Sequence, residues 1–180
     1  MIPQGGFLNP ETIISSLDIK SGYKVADFGS GSGYFALLIA TIVGSEGSVT
    51  AIDVLQGKLD TLKTAAQSRD LFNINYIRAD LEVFGSSKLN DTSQDIALLT
   101  NILFQSQKKL EIIKEAHRVL KMGGELIIID WEPSSQFGPK GEGYKFSKEE
   151  CQQMVVGLGF SLDKEIVVAS DHWGLVFKKQ

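Results

Sequence analysis

Apolar and polar positions along the chain fall into blocks that switch repeatedly between the two-residue period of strands and the longer period of helices. Asn9 and Pro10 read as an N-cap and first helical residue, opening a short helix over 10–17 that Gly22 closes. Residues 24–28 are a brief apolar run meeting a cluster of glycines, and 34–43 are long and apolar enough for a buried helix. A β-branched, alternating stretch over 48–54 predicts a second strand. A more polar helix over 56–69 follows, with Leu59, Leu62 and Ala66 on one face. Residues 75–79 and 95–100 predict the third and fourth strands, and 107–121 a helix whose stripe is Leu110, Ile113, Ala116 and Leu120. Gly123 and Gly124 stop that helix before a fifth strand over 125–130. Ser147 and Glu150 have the spacing of a capping box, and the helix they open ends at Gly157 and Gly159. Two last strands, 165–169 and 174–178, are joined only by 170–173, too short for a parallel return, so they pair antiparallel.

Strands alternating with helices predict an α/β fold. The expected architecture is a doubly wound, Rossmann-like, seven-stranded sheet, mostly parallel with the last strand antiparallel, and helices on both faces. Such sheets bind ligands beyond the carboxyl ends of their strands, where the strand order reverses. The 180 residues carry no repeat or linker, so 1–180 reads as a single domain, with 1–22 its amino-terminal segment and helix.

Composition narrows the function classes. At 43% hydrophobic and 22% charged the chain is of globular type. No apolar run is long enough for a membrane span, and no basic segment leads into an apolar stretch at the amino terminus. A net charge of -4 without a basic block provides no electrostatic footprint for nucleic acid. The single cysteine, Cys151, permits neither an intramolecular disulfide nor a zinc site of several thiolates, and no metal is expected. The expectation is a cytoplasmic monomer or weak homodimer acting on a small molecule.

The chemistry concentrates at strand ends. Asp27-Phe-Gly29-Ser30-Gly31-Ser-Gly33 follows a strand and opens a helix, where glycines let a ligand approach the backbone and unpaired N–H groups face it. Asp53, ending the next strand, is placed to accept hydrogen bonds from both hydroxyls of a ribose. Asp80 ends the third strand and can accept from the exocyclic amine of a purine, with Leu81 packing on the ring. The dinucleotide fingerprint requires its third glycine one place beyond Gly33, where Tyr34 stands. Asp27 also disfavours a pyrophosphate, so the better-matched ligand is a nucleoside with a cationic, amine-bearing tail and no phosphate.

These segments resemble the class I S-adenosylmethionine-dependent methyltransferases over nearly the whole chain. Val25 to Gly33 is similar to the family's first motif, Ala51-Ile-Asp53 to its ribose-binding strand end, and Tyr76 to Leu81 to its adenine-binding segment. Asp95 to Leu103 resembles the fourth strand, and Arg118-Val-Leu-Lys-Met-Gly-Gly124 the helix-ending signature, with Met122 where proline is usual. Phe7 to Pro10, Asp130-Trp131 and His172 to Phe177 are similar to the small-molecule branch, the methyltransferase type 11 group that includes quinone-biosynthesis C-methyltransferases. The resemblance implies S-adenosylmethionine as cofactor and S-adenosylhomocysteine as product. It places Gly29, Ser30, Gly31 and Gly33 against the methionine portion, Asp27 indirectly near its amine and Asn101 beside it. Asp53 falls to the ribose and Asp80 and Leu81 to the adenine, with Phe7 and Val54 completing the cofactor-binding set.

Methyl transfer from a sulfonium is an in-line displacement that proximity and water exclusion accelerate; a general base serves only when the acceptor must lose a proton. Loops at the carboxyl edge bring aromatics to the acceptor: Phe104, Trp131, Phe137, Tyr144, Phe146 and Trp173, with Phe7 closing over them. They suit a small planar or apolar acceptor. His172 is the candidate base, since an unperturbed imidazole titrates at about 6.5. His117 and Cys151 read as structural, and one cysteine disfavours arsenite held by several thiolates. Residues 131–146 have the length of an acceptor-site lid. Two readings compete with the enzyme: a non-catalytic module binding S-adenosylmethionine or S-adenosylhomocysteine, and an NAD-dependent oxidoreductase.

Overall fold

A computed structural model describes residues 8–138, 140–141 and 146–180. The chain runs α1 (Pro10–Ser15), β1 (Lys24–Phe28), α2 (Tyr34–Val43), β2 (Ser48–Asp53), α3 (Gln56–Gln67), β3 (Ile74–Arg78), β4 (Gln94–Thr100), α4 (Lys109–Val119), β5 (Leu120–Trp131), α5 (Lys148–Val156), β6 (Phe160–Glu165) and β7 (His172–Lys179). Asn9 caps α1, its side chain accepting from the Thr12 N–H at 3.2 Å. The strands form one seven-stranded sheet in the order β3-β2-β1-β4-β5-β7-β6. β7 runs antiparallel to both of its neighbours, and every other pairing is parallel. This is the expected mostly parallel, Rossmann-like sheet.

Strand alternation sends successive side chains to opposite faces. Val25, Val49, Ile96, Leu98, Ile127 and Ile129 pack against α1, α2 and α3. Ala26, Phe28, Leu99, Leu126 and Ile128 pack against α4 and α5. The Ile127-Ile128-Ile129 run thereby feeds both cores, each side chain contributing about 1.5–3 kcal/mol by burial. No helix among the described residues is long and apolar enough to cross a membrane.

Two elements differ from expectation. The sixth strand lies at Phe160–Glu165 instead of 165–169. It is an edge strand, and its exposed Ser161, Asp163, Lys164 and Glu165 interrupt the apolar signal while guarding the edge against foreign pairing. The alternation at 165–169 reflects Ile166 and Val168, buried in a connecting loop whose one bridge joins Ala169 to His172. The stripe of α4 is Ile112, Ile113, Ala116 and Val119, whereas Leu110 is 39% exposed. The helix stops at Val119 because Thr92 and Ser93 N–H groups take the Arg118 and Val119 carbonyls and Leu120 already pairs with Gln94.

The capping box of α5 forms in both directions: Ser147 Oγ accepts from the Glu150 N–H, and Glu150 Oε2 from the Ser147 N–H at 2.8 Å. Ser147→Ala is expected to destabilise the domain by about 1 kcal/mol in urea denaturation; an unchanged midpoint would show that the box contributes nothing.

Candidate active site

The carboxyl ends of β1, β2, β4 and β5 and the start of β7 meet at one edge, on both sides of the β1–β4 junction where strand order reverses. At the tip of β1 the chain turns through Gly29–Gly33. Gly29 and Ser30 N–H groups donate to the Ile52 carbonyl at 2.8 and 3.0 Å, tying the turn to β2. Gly31 N–H donates to Asp53 Oδ2 at 2.9 Å, while Asp53 Oδ1 accepts from the Leu55 N–H at 2.8 Å. Asp53 therefore organises two loops at once, and each oxygen keeps a second lone pair for a ligand. Gly31 has φ +53° and faces open space, with no atom within 4 Å of an added Cβ. Gly33, the left-handed N-cap of α2, would drive a Cβ into Leu62.

Two clefts flank this turn and share Gly29, Gly31 and Asn101. One, of about 450 Å³, is walled by Asp53, Val54, Leu55, Asp80, Leu81 and Ile102. The other, of about 510 Å³, is walled by Asp27, Ser30, Tyr34, Phe35, Trp131 and His172, with Leu8 and Pro10 at its rim. The second contains a concentration of buried polar atoms without partners among the described residues: Asp27 Oδ2, Ser30 Oγ, Thr100 Oγ1, Asn101 Oδ1 and both His172 ring nitrogens. Leaving such an atom unpaired costs about 1–3 kcal/mol, so six of them, on five side chains around one cleft, mark a place suited to a polar ligand. Asn101 also holds φ +55°, a left-handed backbone that turns the chain away from β4 toward the clefts.

Electrostatics divide the cleft. Asp27 is 2% exposed, and burial, followed by the neighbouring Asp53 charge, pushes its pKa up to about 7. His172 is 5% exposed, and burial lowers its pKa to about 4 against the opposing pull of Asp171, so the ring is neutral near pH 7. Its centroid lies 4.0 Å from that of Trp131, tilted by 36°. Asp130, also buried and raised to about 6 by desolvation, accepts from Phe104 N–H at 3.0 Å and Trp131 N–H at 2.8 Å, fixing the loop after β4 to β5. No group of three or more His, Cys, Asp or Glu among the described residues is arranged to hold a metal ion.

Residues 19–173 match the family model described as Methyltransferase domain. The chain belongs to that family. The human arsenite methyltransferase is 28% identical over 133 residues, covering 71% of this chain and 36% of the relative. The ubiquinone/menaquinone biosynthesis C-methyltransferase UbiE of Haemophilus ducreyi is 28% identical over 129 residues, covering 71% of this chain and 48% of its own. The chain thus spans less than half the length of these curated relatives. A SAM-dependent methyltransferase structure from Aquifex aeolicus shares the fold at TM-score 0.83 and 22% identity, covering 94% of this chain and 89% of that one.

S-adenosylmethionine is the cofactor of this methyltransferase domain. Its edge fits that molecule: one cleft walled by Asp53, Asp80 and Leu81 adjoins, across the bare Gly31, a second cleft lined by the buried Asp27, Ser30 and Asn101 atoms that have no partner among the described residues. Of the residues expected from sequence, Asp27, Gly29, Ser30, Gly31, Asn101, Trp131 and His172 converge on the second cleft, and Asp53, Val54, Asp80 and Leu81 on the first. Phe7 and Tyr144 lie outside the described residues, as do 139 and 142–145 of the expected lid. Trp173 and Phe146 are not brought to the cleft. The pleat that turns His172 toward α2 turns Trp173 into the opposite core, where its indole donates to the Trp131 and Phe146 carbonyls. Phe137 is 75% exposed, and neither it nor Phe104 lines either cleft. Cys151 is buried beside Asp130 in that opposite core, its thiol pushed up by burial.

Sequence reasoning missed Thr100, Tyr34, Phe35, Leu8 and Pro10, all lining the second cleft. Thr100 shared with Asp27 and Asp53 the signal of a polar residue at a strand end, and Tyr34 occupies the position after the last glycine of the turn.

Two variants test the methyltransferase site. Gly31→Ala retains the fold, with a loss of about 1 kcal/mol from its positive φ, but blocks S-adenosylhomocysteine binding in calorimetry; normal binding would mean that the open space is not ligand space. Asp27 has a folded pKa above its unfolded value, so its favourable contribution is full at low pH and lost as pH rises from about 4 through about 7. Asp27→Asn is therefore expected to raise the thermal midpoint of the ligand-free domain at pH 8 and leave it nearly unchanged at pH 4. No gain at pH 8 would contradict the burial of an unpaired charge.

Proposed function

We propose that this domain transfers the methyl group of S-adenosylmethionine to a small, planar or apolar acceptor seated in the cleft beside Trp131 and His172. The observation that carries this reading is the row of unpartnered buried polar atoms beside an aromatic-lined space, joined through Gly31 to a nucleoside-sized cleft. In this reading Asp53 holds the ribose, and Asp80 and Leu81 the adenine. The backbone of Gly29 to Gly33, with Asn101 and Ser30, receives the methionine portion. Among the described residues Asp27 supplies the only carboxylate on the wall of the second cleft, and it neutralises the ligand's amine. When bound, S-adenosylmethionine supplies a methyl group activated on a sulfonium that departs as a neutral thioether.

The residues' own work is positioning. Tyr34, Phe35 and Trp131 exclude water and hold a flat acceptor face-on, and a confined near-attack arrangement supplies much of the acceleration. His172, neutral at physiological pH, is a poor proton acceptor but offers one donor and one acceptor nitrogen to a hydroxyl or amine on the acceptor. This changes its role from the base expected of an unperturbed imidazole to a hydrogen-bonding anchor. Cys151, the sole thiol of the chain, lies in the opposite core, which favours an organic acceptor over arsenite.

Release of S-adenosylhomocysteine is to be measured over a panel of phenols, quinols and amines. Turnover on one of these classes is expected, with a rate showing no His172-dependent inflexion between pH 6 and 8. His172→Phe is expected to raise KM more than it lowers kcat. An inflexion near pH 6.5 that disappears in His172→Phe would restore the base. Tight cofactor binding with no turnover across the panel would make the domain a binding module, and NAD binding in place of S-adenosylmethionine would overturn the reading altogether.

A further inference from the structure

The wall of the nucleoside cleft stands on the connection from β3 to β4, residues 79–93, which contains no helix or strand. Asp80, Leu81 and Glu82 of this segment line the cleft. The same segment holds two non-glycine residues in left-handed conformations, Lys88 at φ +57° and Thr92 at φ +49°. Such backbone persists only where the surrounding structure over-determines it.

That structure is the last turn of α4. Glu115 is 0% exposed, yet it lines neither cleft. Its Oε2 accepts from the Gly85 N–H at 2.7 Å, and its Oε1 accepts from the Ser87 N–H at 3.3 Å and from the Ser87 hydroxyl. Arg118 grips the same carboxylate with two prongs, Nε to Oε2 at 3.0 Å and Nη2 to Oε1 at 2.7 Å. Its Nη1 donates to the Leu89 carbonyl at 2.7 Å and to Asp91. Burial alone would raise the Glu115 pKa, but the bonds from Arg118, Ser87 and Gly85 outweigh it and hold the carboxyl below its usual range. Beyond this anchor, the Ser86 hydroxyl donates to the Asp80 carbonyl at 2.6 Å, and the Ser106 hydroxyl to Glu82 Oε1 at 2.7 Å. Ser86 stands between the pinned Gly85 and Ser87, so its bond to the Asp80 carbonyl ties the anchored stretch of loop to the cleft wall, and Ser106 holds Glu82 separately from the loop after β4.

We propose that Glu115 and Arg118 are positioning residues for the nucleoside half of the site: from the far side of the wall they fix where Asp80 and Leu81 stand. The proposal rests on the cofactor reading of the cleft, and its mechanism is geometric. Two planar, complementary ions pin four points of an irregular loop, so the wall is set before the ligand arrives. Without them the loop must be ordered by the ligand, and affinity falls by the cost of that ordering.

S-adenosylhomocysteine is to be titrated calorimetrically into the wild-type chain, Glu115→Gln, Arg118→Lys, Asp80→Ala and the double variant Glu115→Gln/Asp80→Ala, each verified as folded by circular dichroism at the temperature used. Glu115→Gln and Arg118→Lys are each expected to weaken binding about tenfold, and Glu115→Gln with Asp80→Ala less than additively, because both act through one wall. Arg118→Lys keeps the charge while losing the fork, so it carries the test alone should Glu115→Gln not fold. Asn73→Ala removes bonds to the Ala40 and Gly44 carbonyls at the opposite edge and controls for general destabilisation; its affinity is expected to match the wild type. Unchanged affinity in Glu115→Gln and Arg118→Lys, strict additivity, or an equal loss in Asn73→Ala overturns the positioning role. A wild-type chain that does not bind S-adenosylhomocysteine overturns the cofactor reading instead.

Discussion

The pairing of β1 between β2 and β4 governs the molecule. Both neighbours hydrogen-bond to it over nearly its whole length, so the strand end at Asp27 and Phe28 is stripped of water from both sides. The connections from β1 and β4 then leave in opposite directions and open a crevice that no strand fills. A carboxylate at that point cannot be solvated, and its raised pKa expresses the cost. The same constraint supports the proposed pairing of Asp27 with the amine of the cofactor.

Around that crevice the protein tolerates arrangements that its cores do not. Both cores consist of apolar side chains from the two faces of the sheet, while the buried unpaired oxygens and nitrogens gather at its carboxyl edge. Left-handed backbone at Asn101 belongs to the same edge. These features cost free energy in the ligand-free domain, and burial of the two apolar cores offsets it. Asp53 shows how closely support and recognition are joined, since the oxygens expected to meet a ribose already hold Gly31 and Leu55 in place.

Much of this was legible along the chain. Period and punctuation located six of the seven strands, the glycine turn, the Asn9 cap and the Ser147 box, because each depends on residues close in sequence. The sixth strand was hidden because an edge strand carries polar side chains on its solvated positions, and Ile166 and Val168 mimicked its alternation from a loop. The end of α4 was misjudged because carbonyls at Arg118 and Val119 are claimed by residues 92 and 93, a partnership invisible in a local window. Among aromatics, sequence could place Trp131, His172, Trp173 and Phe146 near one edge but could not divide them between its faces.

By itself the sequence determined the α/β class, the antiparallel last strand and the strand-end residues that meet at the carboxyl edge, since hydrophobic period and loop length act locally. Only the tertiary structure decided which side chains share a cleft and what charge they carry there. A one-residue step along β7 separates His172 from Trp173 by the full thickness of the sheet. The pKa of His172 and the anchoring by Glu115 likewise depend on burial among segments distant in sequence, because desolvation and hydrogen-bond geometry belong to the packed molecule.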